Sequence, residues 1–144
     1  MDEKDGAIIA ELLKDSRQST SLISRKAGIP RVTVHDRLNK LKKNGVIKRF
    51  TVSLDYDKLD LPVTMFVLVS YDHSAKLDQH ALAQRIGDVP GVYSVDIISG
   101  EWDLLIKVRA KTLKDVGLLL IDKIRLIPGV LKTFSMSSFE TVKE

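Results

Sequence analysis

The chain has 144 residues, 44% of them hydrophobic and 29% charged, enough apolar material for one ordinary domain or two small ones and too much for a disordered chain. It contains no cysteine, which excludes disulfides, thiolate metal sites and cysteine nucleophiles together. The net charge of +4 is unevenly spread: residues 1–55 hold 12 Lys/Arg against 7 Asp/Glu, residues 56–144 hold 11 against 12, and between 25 and 49 nine bases accompany a single acid, Asp36.

The start, Met1-Asp2-Glu3-Lys4-Asp5, is charged, and no apolar run approaches the roughly 18 residues of a membrane span. Neither a signal peptide nor contact with a membrane is expected, and a cytoplasmic location is. Ile8, Ile9, Leu12 and Leu13 recur at helical spacing and predict a helix over 3–15, followed by a polar loop at 15–20. Leu22, Ile23 and Ala27 mark a second short helix, with Thr20 or Ser21 to cap it and Gly28 to supply a left-handed exit. Ile29 plugs the turn. Pro30 stands at the beginning of a third helix, where a missing amide hydrogen costs nothing, and Asn44-Gly45 ends it. Three helices with a four-residue turn make a helix-turn-helix over residues 1–45.

The third helix carries the basic stripe. Val34, Leu38 and Leu41 define its buried side, and advancing 100° per residue puts Val32, Asp36, Asn39 and Lys43 opposite, flanked by Thr33, His35 and Lys40. Clustered positive charge suits phosphate attraction, because it releases condensed counterions, so double-stranded DNA is the expected partner. Residues toward the helix N-terminus reach base edges, which makes Arg31, Val32, Thr33 and His35 the expected readers. A guanidinium at Arg31 or Arg37 suits guanine or phosphate, and Val32 with the Thr33 methyl suits thymine methyls. Asp36 is repelled by phosphates unless it accepts from cytosine N4 or orients a neighbouring arginine; orienting is the preferred reading. Lys40, Lys42, Lys43, Lys48 and Arg49 are expected to grip the backbone and set affinity rather than sequence.

Residues 46–54 alternate as a strand, through Ile47-Lys48-Arg49-Phe50-Thr51-Val52, and 55–62 is a polar connector. Residues 46–61 are therefore expected to form a β-strand linker to a second domain at 62–144. There the predicted order is strand 63–71, helix 75–87, strand 91–98, strand 103–110, helix 112–126 and strand 130–140. This is βαββαβ, the ferredoxin-like arrangement, and the fold class is α+β. Two matching passages, Ile86-Gly87-Asp88-Val89-Pro90-Gly91-Val92 and Ile124-Arg125-Leu126-Ile127-Pro128-Gly129-Val130, each lead from a helix into a strand. Pro-Gly there stops the helix and frees the turn without any ligand. The first strand is apolar on both faces, with Val63, Met65, Val67 and Val69 on one and Phe66 and Leu68 on the other. Helices cover one face, and a second copy of the chain is expected to cover the other, giving a homodimer.

Across nearly its whole length the chain resembles the Lrp/AsnC, or feast/famine, transcription regulators. The resemblance is carried by Asp5 and its following helix, Ala27-Gly28-Ile29, Thr33-Val34, Arg37-Leu38 with Leu41, and Gly45-Val46-Ile47. In the second half it is carried by Gly100-Glu101-Trp102-Asp103 and Ile127-Pro128-Gly129-Val130. It implies a helix-turn-helix followed by a ligand-sensing βαββαβ domain, dimers that assemble further into tetramers or octamers, and an amino acid or related small metabolite as effector. Where the family often has Ser-Pro at the start of the recognition helix, this chain has Pro30-Arg31. The first candidate effector site is Gly100-Glu101-Trp102-Asp103, where glycine lets backbone amides approach a ligand carboxylate and Asp103 meets an ammonium. Thr133 and Ser135 match a Thr-x-Thr/Ser pattern on the family's last strand and would complete the site between subunits. The plainer alternative is a tight β-turn at Gly100 and Asp103 with Trp102 packed in an interface.

Catalytic motifs are missing: no Gly-x-Ser-x-Gly, phosphate-cradling glycine loop or His-Glu-x-x-His is present, and no metal or cofactor is expected. The chain reads as a regulator and not an enzyme. Two rivals remain: siroheme decarboxylases, similar in their two-domain design, use a second-domain histidine as an acid, for which His73 and His80 are available here. The other is DNA compaction by an oligomer with little sequence preference.

Overall fold

Three helices occupy the first part of the structure, a computed structural model that describes residues 1–142: α1 (Glu3–Lys14), α2 (Thr20–Ala27) and α3 (Arg31–Lys43). Each boundary has a local cause. Asp2 and Asp5 form a reciprocal capping box at the start of α1, each carboxylate accepting from the other's backbone N–H. The Ser19 hydroxyl caps α2 by accepting from Leu22 N–H at 3.2 Å, one residue ahead of the expected Thr20 or Ser21. Gly28 closes that helix in the left-handed region at φ 66°. Ile8, Ile23, Ile29 and Val34 make the core of this unit, with Ile29 inserted from the turn as the sequence predicts.

The chain divides into two compact units, Met1–Ser53 and a second beginning at Leu54. Residues 46–54, expected as a strand, form none. An alternating stretch becomes a strand only where an edge pairs with it, and the one sheet of the described residues is built from four other segments.

Those segments are β1 (Val63–Tyr71), β2 (Val92–Ile97), β3 (Leu104–Ala110) and β4 (Val130–Ser138), in the order β2-β3-β1-β4, antiparallel throughout. With α4 (Gln79–Gly87) and α5 (Leu113–Asp122) the unit is the predicted βαββαβ fold. Helix α4 starts four residues later than expected because Asp78 caps it, accepting from Ala81 N–H at 2.9 Å. The expected helix over 112–126 ends as α5 at Asp122, with a 3-10 turn at Ile124–Leu126. Both helices lie on one face of the sheet: Leu82, Ile86, Val116, Leu119 and Ile124 pack against Val67, Val69, Leu104, Ile106 and Val108. Both Pro-Gly passages turn the chain into a strand, with Gly91 and Gly129 at φ 97° and 101°, but α5 has already ended at Asp122, so Pro128 is not what stops it.

Cross-strand partners share a face. Register pairs Phe66 with Lys107 and Met136, and Leu68 with Leu105 and Phe134, on the face the helices leave open. Phe134 and Met136 are exposed there. At one end of this face Arg109 is buried, donating from Nη1 to Thr64 Oγ1 at 3.1 Å with its guanidinium 3.5 Å from the Tyr56 ring centroid. Tyr93 meets Tyr56 edge-on at 5.3 Å, so the turn at Asp57–Leu59 is pinned to the sheet. No helix among the described residues is long and apolar enough to cross a membrane.

Candidate nucleic-acid interface and effector site

Helix α3 is oriented by its apolar seam. Val34 is fully buried, Leu41 nearly so and Leu38 packs at the edge of the core, which turns Arg31, Val32, His35, Asp36, Asn39, Lys40, Lys42 and Lys43 outward. Val32, 72% exposed, has no packing role that would account for an apolar side chain at that position. Lys48 and Arg49 beyond the helix are also exposed, and Lys42 Nζ lies 5.8 Å from the centroid of Phe50. The exposed surface therefore combines a cationic group of six, Arg31, Lys40, Lys42, Lys43, Lys48 and Arg49, with an apolar contact at the helix start. The departure at Pro30-Arg31 has a consequence: Pro30 is the N-cap and α3 has no side-chain cap. Its first N–H groups are left to solvent or to an anion.

Two of the expected DNA contacts are placed differently. Arg37 does not project outward: its Nη1 donates to Asp2 Oδ1 and Oδ2 at 2.6 and 2.7 Å and to Asp5 Oδ1 at 2.9 Å, with the side chain only 26% exposed. The guanidinium holds the Asp2 carboxyl below the usual range. Asp5 is lowered first by the Asp2 backbone N–H and then by Arg37, whose own pKa is raised by both acids. Arg37 thus clasps α3 to the capping box of α1. Asp36, expected to orient an arginine, instead faces His35, Oδ1 to Nδ1 at 3.3 Å. Thr33 is half-buried in a cleft of about 400 Å³ that Asp2, Asp5, Asp36, Arg37 and Lys40 also line. Only the acidic half of the clasp has a sequence signal: Asp2-x-x-Asp5 before an apolar run is a capping-box pattern that places two carboxylates at one helix end, and nothing local pairs them with Arg37. A second tie, Glu11 to Lys26 at 3.5 Å, joins α1 to α2, and hydrogen bonds from Lys14 and then Gln18 lower the Glu11 pKa.

In the second unit the expected effector residues fall into two groups. Gly100 has φ 135° with open space around it, and Glu101 is exposed. Asp103, read as an ammonium partner, is engaged by the fold: its Oδ2 accepts from Tyr71 N–H at 2.8 Å, its N–H donates to Val69 O and its carbonyl accepts from Ile98 N–H. That ties the β2–β3 hairpin to the end of β1. Trp102 lies 6.1 Å from Phe134, ring to ring, with Lys132 Nζ 5.1 Å from its centroid, at the open face. Thr133 and Ser135 pair with Val69 and Val67 and so point to the helix side, where Arg125 Nε donates to Thr133 Oγ1 at 2.9 Å. A single chain does not bring Trp102 together with Thr133 and Ser135, because neighbours on one strand alternate between faces. Arg125 and Lys132 line a cleft of about 290 Å³ beside Thr133 that the sequence reading did not include. His73 and His80 are exposed, His73 stacked edge-on against Tyr71 at 4.9 Å.

Comparison with known proteins gives two family matches that together span most of the chain: a winged helix-turn-helix DNA-binding pattern at residues 1–48 and the Lrp/AsnC ligand binding domain at residues 64–144. An HTH-type transcriptional regulator of Pyrococcus abyssi is 47% identical over 144 residues, covering 100% of this chain and 96% of that one. The structure of Bacillus subtilis LrpC is 28% identical with a TM-score of 0.85, covering 99% and 97%. A transcriptional regulator of Neisseria meningitidis, solved as a complex with L-Met, has the same fold at 19% identity, with a TM-score of 0.91 over 100% and 93%.

Proposed function

Since the chain belongs to the Lrp/AsnC family of helix-turn-helix transcriptional regulators, DNA-binding proteins and not enzymes, we propose that it binds DNA sequence-specifically and that an amino acid or related small metabolite alters its DNA affinity or oligomeric state. The observation that carries the first part is the outward surface of α3, where Arg31 and Val32 stand at the N-terminal half and Lys40, Lys42 and Lys43 at the C-terminal half. That order suits base reading followed by phosphate grip. The effector reading is supported by the ligand-binding-domain match and by the L-Met complex of the Neisseria neighbour.

The candidate site for that effector is the Gly100–Asp103 hairpin with Thr133 and Ser135 supplied from another subunit, since one chain holds them on opposite faces. Assembly would use the open sheet face at Phe66, Leu68, Leu105, Phe134 and Met136, and would present two copies of α3 to half-sites one helical turn or a multiple apart. A DNA-binding selection with and without a panel of amino acids tests both parts. A defined motif whose occupancy shifts with one amino acid supports them. Equal affinity for selected and random DNA would favour compaction, and no binding at low salt would overturn the proposal.

A further inference from the structure

We infer that Asn39 is a base-reading residue specific for adenine, held in its reading orientation by His35 and, through it, by Asp36. This rests on α3 being the recognition helix. Val32, Asp36 and Asn39 are all exposed on the side opposite buried Val34 and Leu41. Asn39 stands seven residues beyond Val32, roughly 10 Å along the axis, a span that fits the roughly 12 Å width of the major groove.

Within this stripe the three polar side chains are in contact. Asp36 Oδ1 is 3.3 Å from His35 Nδ1, and Asn39 Nδ2 lies 3.4 Å from each ring nitrogen of His35. A carboxylate only accepts, so the proton of a neutral imidazole sits on Nδ1, donated to Asp36. With that proton turned toward Asp36 the ring has no N–H to offer Asn39, so the amide, equidistant from both ring nitrogens, turns its NH₂ and not its oxygen toward the imidazole. One amide hydrogen is used on the ring. The other, with the Oδ1 acceptor beside it, is left for the groove. A donor next to an acceptor complements adenine N7 and N6–H₂; guanine offers two acceptors, cytosine one donor and thymine one acceptor, so no other base matches both groups. This also accounts for an acid at position 36 on a basic surface: the carboxylate fixes the imidazole tautomer and thereby the sense of the amide.

The test is a random-sequence DNA selection with the full chain at pH 8, comparing wild type, Asn39→Ala, Asn39→Asp and His35→Ala. The expected wild-type motif has adenine at one position per half-site. Asn39→Ala should flatten that position by about tenfold or more and leave the others. Asn39→Asp, which keeps the acceptor and loses the donor, should move it toward cytosine and serves as the second variant if alanine impairs folding. His35→Ala should weaken the same position. An unchanged motif in both Asn39 variants, or a uniform loss of affinity for every sequence, would overturn the inference. An effect of His35→Ala confined to a different position would overturn the part assigned to His35. A wild-type protein that selects no motif would defeat the sequence-specific reading itself, an outcome visible before any variant is compared.

Discussion

Arg37 shows how a residue's chemistry is decided by its neighbours. By type and position it belongs to the DNA-facing set, yet two carboxylates at the start of α1 engage it. The pH consequence has a definite sign. The folded-state pKa values of Asp2 and Asp5 are depressed, so their contribution is fully present above the unfolded value. It is lost as pH falls through the folded one, below about pH 4. Arg37→Met should therefore flatten the acid limb of the thermal stability of the helical unit, measured by circular dichroism. An acid limb identical to wild type would show that the clasp contributes nothing. The exposed bases make a different prediction. Lys42→Ala should weaken binding to all sequences and lower the salt slope by roughly one ion, whereas Arg31→Ala should change sequence preference by about 1–3 kcal/mol with the slope largely kept. Equal salt slopes for Lys42→Ala and wild type would remove Lys42 from the phosphate contacts. Exposure of Lys42 and Arg31 was legible from helical periodicity; the engagement of Arg37 was not, because its partners lie 32 and 35 residues away.

Elements with local end signals were the most legible. Gly28 and Asn44-Gly45 mark helix ends in the structure as in the sequence, and Pro-Gly at 90–91 and 128–129 turns the chain into β2 and β4. At Gly129 a Cβ would meet Leu82 Cδ2 at 3.5 Å, ordinary contact, so the cost of Gly129→Ala is conformational, about 1–2 kcal/mol for forcing an L-residue to φ 101°. Ser19→Ala, which removes the cap of α2, should cost about 0.5–2 kcal/mol in the other unit. Denaturant melts followed separately for the two units check both, and each variant should move only its own transition. If Gly129→Ala leaves stability unchanged, the turn relaxes to a different backbone. The 46–54 segment was the element misread. Its alternation is real, but strand formation depends on an unpaired edge beside it, which no local pattern specifies.

For the whole molecule, the open face of the sheet is the feature that a single chain leaves unexplained. Phe134 is 52% exposed on the face the helices leave open, with Met136 two residues along β4 and Leu68 and Phe66 as their partners on β1. Phe134→Lys should convert an assembled protein to a smaller species in sedimentation or light scattering and weaken DNA binding by removing the second half-site contact. An unchanged mass would exclude this face as the interface. The sequence by itself determined the two-part plan, the type and order of the second unit's elements, the family and the outward side of α3. Each of these follows from patterns within one helix, strand or turn, where period and end signals act over a few residues. Only the tertiary structure decided that Arg37 is clasped by Asp2 and Asp5, that Asp36 faces His35, that Asp103 is bonded into the sheet, and that Trp102 and Thr133 lie on opposite faces. Side-chain partners are chosen by proximity in the folded chain, and a one-dimensional pattern fixes which face a residue occupies but not what it meets there.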